Sequence, residues 1–117
     1  MLPMDQSLRD EVNLLHAEIC GGLADPTRIL ILYSLAEQSR SVGDIVKILD
    51  MNQSTVSRHL QVLRNRKLVT ATRDGQNVFY SLTDHRVIEA LDLLRAVLSD
   101  QINRQASLVE NPGHLSS

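Results

Sequence analysis

The sequence predicts a mainly α-helical fold carrying one β-hairpin, with about five helices in the order four helices, hairpin, helix. Three observations predict it. Apolar residues recur at helical spacing along most of the chain. The pattern switches to β-branched runs after Leu68 and returns to the helical period beyond Leu82. Between the two β-like runs stands Asp74-Gly75, a strong short turn signal.

The first helix spans roughly Asp5 to Gly21, where Leu8, Val12, Leu15 and Ile19 fall on one face and Gly21-Gly22 ends it. The second starts at Asp25-Pro26. Asp25 can accept the free backbone N–H groups of the first turn, and Pro26 suits the first helical position because its missing N–H would be unpaired there. Ile29, Leu32, Leu35 and Ala36 are its expected inner face. A third, short helix opens at Ser41, with Asp44 three residues on as in a capping box, and Val42, Ile45, Val46 and Leu49 on its apolar side. After the polar break Asp50-Met51, Asn52 caps a fourth helix to about Asn65, with Val56, Leu60 and Leu63 inward. Residues 68–73 and 77–82 form the hairpin. Thr83 is then expected to cap the last helix, along which Val87, Leu91, Leu94, Leu98 and Ile102 repeat to about Gln105.

The 117 residues suit one domain, taken as 1–106, followed by a flexible tail over 107–117 that carries Pro112 and Gly113. Aromatic residues make up only 3% of the chain, so the core must be built from Leu, Ile and Val. No apolar run approaches the roughly 18 residues that span a bilayer, and no membrane partner is expected. The first residues, MLPMDQSLRDE, lack a basic stretch ahead of an apolar one, so a cytoplasmic location is expected. The single cysteine, Cys20, has no partner for an intrachain disulfide.

Two short helices across a tight turn, with a hairpin behind them, describe a winged helix-turn-helix. A helix fits the major groove of B-DNA, and its outer side chains must then offer donors and acceptors to base edges. The outer face of the fourth helix carries Gln53, Ser54, Thr55, Ser57 and Arg58, and no acid occurs from Met51 to Arg73. The chain as a whole has a net charge of −2, but residues 53–76 hold five basic side chains against Asp74 alone. That local +4 leaves −6 for the remainder. Phosphates respond mainly to charges within about a Debye length, ~8 Å, so an acidic body does not prevent binding. Arg64, Arg66, Lys67 and Arg73 are expected to hold the DNA backbone.

The segments LADPTRILILYSLAE, SVGDIVKILDMNQSTVSRHLQVLRNRKLV and RDGQNVFYSLTD resemble the ArsR/SmtB-type repressors, over about residues 15–100. The resemblance implies a homodimer, formed through the first and last helices, that binds imperfect palindromes in double-stranded DNA. It places DNA contacts on Gln53, Ser54, Ser57 and Arg58, and in the wing around Arg73, Gly75 and Gln76. His59 matches a frequent histidine of that helix, with a structural or phosphate-contacting role. The dimer contacts then fall on Leu8, Val12, Leu15 and Ile19 and on Leu91, Leu94 and Leu98.

Many such repressors release DNA on binding a metal. One class uses paired cysteines at the start of the third helix, where this chain has Ser41, Val42 and Gly43. Another uses side chains of the last helix. There Asp84 matches, but Arg86 stands at the histidine position and Val97 at a later one, beside Asp100. A guanidinium and an alkyl group do not bind zinc. No metal or cofactor is therefore expected. His16 and Cys20 lie four residues apart but make only half a ligand set, and Cys20 is left as a candidate redox or sensing residue. The inducer stays unassigned. No enzyme is expected either, since there is no Gly-rich phosphate loop and no nucleophile with a base beside it. The alternative function is a winged-helix module for protein contacts without DNA.

Overall fold

The computed structural model describes residues 3–110, with side chains as far as 107. It divides after Asp84 into two compact units. Every residue from Asp92 to Ser107 is exposed.

The first unit begins with α1 (Gln6–Leu15), capped by the Asp5 carboxylate, which accepts the Ser7 N–H. The helix does not stop at Leu15. It continues as a π-helical turn over His16–Cys20, closed by Gly21 N–H donating to the His16 carbonyl. Gly22 is buried, and a Cβ there would come within 2.7 Å of Leu68 Cδ1, so a larger residue at this corner would have to displace that side chain. Helix α2 (Pro26–Ser34) starts as its sequence predicts: Asp25 Oδ1 accepts the Thr27 N–H at 2.7 Å, with Pro26 at the first position. Its inner face is Ile31, Leu32 and Leu35. Ile29, expected inward, is only half-buried.

Helix α3 (Val42–Leu49) has the capping box in full, Ser41 Oγ accepting from Asp44 N–H and Asp44 Oδ2 from Ser41 N–H. It ends at Asp50, whose φ of 52° turns the chain toward α4 (Gln53–Asn65). Asn52 caps α4 as expected. At the far end Leu68 N–H reaches back to the Leu63 carbonyl, and Lys67 takes the left-handed conformation, φ 62°, that usually falls to glycine.

Strands β2 (Val69–Asp74) and β3 (Asn77–Leu82) form the predicted hairpin, with Asp74 opposite Asn77. The loop proper is therefore Gly75-Gln76. Gly75 has φ +65° while Gln76 does not go positive, the pattern of a turn with glycine at its first central position. A further strand, β1 (Arg40–Ser41), pairs antiparallel with β3 and gives the sheet order β1-β3-β2. Two residues are too short to show a strand period, so no sequence signal announces β1. The sheet packs on α3 and α4, and the core of the unit is Ile31, Leu32, Leu35, Ile45, Val56, Leu60, Leu63, Leu68 and Val69.

The second unit consists of α5 (Arg86–Glu110), 25 residues long. Its first hydrogen bonds run to the His85 carbonyl, so it starts later than Thr83. It also runs past Gln105, so residues 107–110, expected in the tail, are helical; the rest of that tail, 111–117, lies outside the described residues.

Candidate nucleic-acid interface

Helix α4 has two chemically distinct faces. Val56, His59, Leu60 and Leu63 are buried. Gln53, Ser54, Ser57, Arg58, Gln61 and Arg64 are exposed, and Thr55 is half-buried. At 3.6 residues per turn the exposed set spans an arc of about 140°, and the buried set fills the opposite side. The buried side chains fix the roll of the helix, and that roll presents the polar set together. Its chemistry is donor and acceptor groups without negative charge, as base edges and phosphates require.

The outward groups are not all equivalent. Gln61 Nε2 donates to Asn65 Oδ1 at 2.9 Å, which occupies one amide proton. At the N-terminus, Asn52 Oδ1 accepts both the backbone N–H and the hydroxyl of Ser54. Arg64 and Lys67 at the end of α4, and Arg73, Gly75 and Gln76 on the hairpin, are all exposed. These remain fit to meet phosphates.

Two of the residues expected at the DNA have partners within the chain. His59 is 9% exposed, and its Nδ1 lies 3.3 Å from an Arg28 guanidinium nitrogen. Arginine can only donate, so Nδ1 accepts. Nδ1 of the ring is thus engaged inside the protein. Arg66, expected on phosphate, turns toward the first helix and donates to the Ala17 and Glu18 carbonyls. These carbonyls lie in the π turn at the negative end of a helix, which attracts a cation.

Arg28 was not singled out by the sequence and proves central. Besides His59 it donates to the Gly22 carbonyl at 2.8 Å and the Gly21 carbonyl at 3.2 Å. Arg28 and Arg66 therefore both tie the end of the first helix to the region of α4. Asp25 completes the cluster. Burial pulls its carboxyl upward, but the Thr27 N–H, His59 and Arg28 outweigh this and hold it below its ordinary value of 3.8. A signal existed in principle: an arginine one turn after a capped helix start has helix-end carbonyls within reach.

The residues expected at a dimer interface are placed as follows. Leu8, Val12, Leu15 and Ile19 lie exposed along α1 and its π turn, at 37–50%. On α5, Leu94 and Leu98 are 62% and 54% exposed, and Leu93, Val97 and Ile102 widen the apolar surface. Leu91 is 6% exposed. Cys20 is exposed at the end of the π turn. Among the described residues no three His, Cys, Asp or Glu side chains gather as a metal set, and no helix is long and apolar enough to cross a membrane.

Comparison with known proteins agrees with this geometry. Residues 25–71 match the family model described as bacterial regulatory protein, arsR family. The transcriptional repressor SmtB homolog of Synechocystis is 40% identical over 72 residues, 62% of this chain and 54% of that protein. The chain thus spans about half the length of that relative. Nodulation protein NolR of Rhizobium meliloti is 36% identical over 88 residues, 72% of each chain. Among structures, a homodimeric winged helix-turn-helix DNA-binding domain from Mycobacterium bovis superposes with a TM-score of 0.72 at 27% identity, covering 89% of this chain and 95% of the other.

Proposed function

The chain belongs to the arsR family of bacterial regulatory proteins, and from that membership we propose that it is a cytoplasmic transcriptional repressor that binds a palindromic operator as a homodimer and has no catalytic role. The observation that carries this reading is the acid-free, exposed polar face of α4 (Gln53, Ser54, Ser57 and Arg58), set by a fully buried opposite face. A two-fold dimer would set two such helices about one DNA turn apart, ~34 Å, which calls for two half-sites. The exposed apolar residues of α1 and α5 are the surfaces through which the two copies would join. Arg64, Lys67 and Arg73 would anchor the backbone, and the wing tip at Gly75-Gln76 would reach an adjacent groove or strand.

The test is a mobility shift against the DNA upstream of the protein's own coding sequence, repeated across salt concentrations. Affinity should fall steeply with salt as phosphate contacts release counterions. Arg58→Ala should cost about 1–3 kcal/mol on the operator and relax the preference at one base pair. An equal loss on operator and random DNA would move Arg58 to a phosphate role. No shift for the wild-type chain at low salt would favour a protein-contact module instead.

A further inference from the structure

Ser54 stands in the first turn of α4 with its side chain exposed. Its backbone N–H donates to Asn52 Oδ1 at 2.8 Å. That bond fixes which end of the Asn52 amide faces Ser54, because the amide nitrogen has no lone pair to accept with. The Ser54 hydroxyl lies 2.6 Å from the same oxygen. Asn52 Oδ1 carries no proton, so the hydroxyl must be the donor. A serine hydroxyl has one proton and two lone pairs. With its proton committed to Asn52, Ser54 Oγ meets the groove as an acceptor only.

We infer that Ser54 is a specificity-determining residue that accepts a hydrogen bond from an exocyclic amino group of a base, adenine N6 or cytosine N4, with Asn52 as the positioning residue that sets its polarity. The inference rests on the proposal that α4 reads DNA. In the major groove those two amino groups are the only donors. Guanine O6 and N7, thymine O4 and the phosphate oxygens are all acceptors, and they would face lone pairs on Ser54 with no proton between. Ser54 is thereby separated from the phosphate-binding role open to an ordinary serine. It also complements Arg58, which can only donate and so suits guanine. Turning the hydroxyl outward to donate would break its bond to Asn52, so Asn52 biases the side chain toward one class of base.

The experiment uses the full chain and a pool of random duplexes. Wild type, Ser54→Ala, Ser54→Thr and Asn52→Gly are each used to select bound sequences. Glycine is itself an acceptable helix cap, so Asn52→Gly frees the hydroxyl at little cost to the helix. The duplex selected by wild type is then remade with purine in place of each adenine and 2-pyrimidinone in place of each cytosine, which deletes one amino group at a time. Wild type and Ser54→Thr should lose about tenfold in affinity at one shared position, the scale of a mismatched pair. Ser54→Ala should show no loss there, and Asn52→Gly should admit guanine or thymine at that position. Identical deletion profiles for wild type and Ser54→Ala overturn the inference while DNA reading by α4 stands, as does an equal loss by Ser54→Ala on every duplex. If wild type enriches no sequence, the DNA-reading proposal itself fails and this inference with it.

Discussion

Leu8, Val12, Leu15 and Ile19 on the first helix follow the same spacing as Val56, Leu60 and Leu63 on α4. Yet the first set is 37–50% exposed and the second is fully buried. The pattern that makes a helix amphipathic is the same; what differs is whether this chain alone supplies the opposing surface. For α4 it does, through α2, α3 and β2. For the first helix the apolar stripe is left facing water, and burying a side chain of this size is worth about 1.5–3 kcal/mol. An apolar stripe at helical spacing therefore encodes a demand for cover. Whether a neighbour in the same chain or a second copy meets that demand is a tertiary fact. On the proposed function the two stripes would divide the labour, one holding α4 in its fold and the other offering a seam for a second copy.

The largest expected effect breaks the exposed half of the comparison. Leu15→Asp should weaken self-association by roughly 3–6 kcal/mol, because a two-fold axis repeats the substitution. Sedimentation equilibrium measures it. The circular dichroism spectrum should stay helical, since Leu15 is not among the buried core residues. An unchanged dimer constant would remove the first helix from the interface.

Leu60→Ala tests the buried half. Deleting a fully enclosed leucine side chain should destabilise the fold by about 2–5 kcal/mol, read from the urea midpoint at fixed protomer concentration. The two variants should thus sort cleanly, one losing assembly with its fold intact and the other losing fold. A Leu15→Asp chain that unfolds, or a Leu60→Ala chain with normal stability, would dissolve the distinction.

That contrast also explains how far the sequence could be read. Element order, the Asp25, Ser41 and Asn52 caps and the turn at Gly75 were legible, because each rests on residues within four positions of one another. So was the roll of α4, since its buried and exposed residues alternate with the helical period. What escaped depends on distant partners. Strand β1 is two residues whose only pairing lies some forty positions on, at Phe79 and Tyr80. Arg66 looked like a phosphate ligand by type and neighbourhood, but a long side chain at a half-buried position goes where carbonyls are free. For His59 the sequence left a structural and a phosphate-contacting role open, because the partner of its ring, Arg28, lies 31 residues earlier.

A smaller effect sharpens that point. His59→Ala removes the acceptor for Arg28 and should cost about 1–3 kcal/mol of stability. Because His59 lies on the buried side, it should lower affinity for operator and random DNA by the same factor. His59→Gln can still present an acceptor and should recover part of the stability. A selective loss on the operator would return His59 to the reading face.

The smallest expected effect concerns Asp25, which caps α2 beside the same pair. Its folded pKa is depressed below 3.8. The sign follows directly: its ionised form is favoured in the folded chain, so the contribution is complete above 3.8 and is lost as pH falls through the lower folded value. Asp25→Asn keeps a cap acceptor for the Thr27 N–H but cannot ionise. At pH 7 wild type should therefore unfold at a slightly higher urea concentration than the variant, and the gap should close as the pH falls below 3.8 toward 2. A gap that stays constant with pH would show that Asp25 acts through hydrogen bonding alone. A gap that closes would place the charge of Asp25, with Arg28 and His59, among the forces that hold the start of α2 against α4.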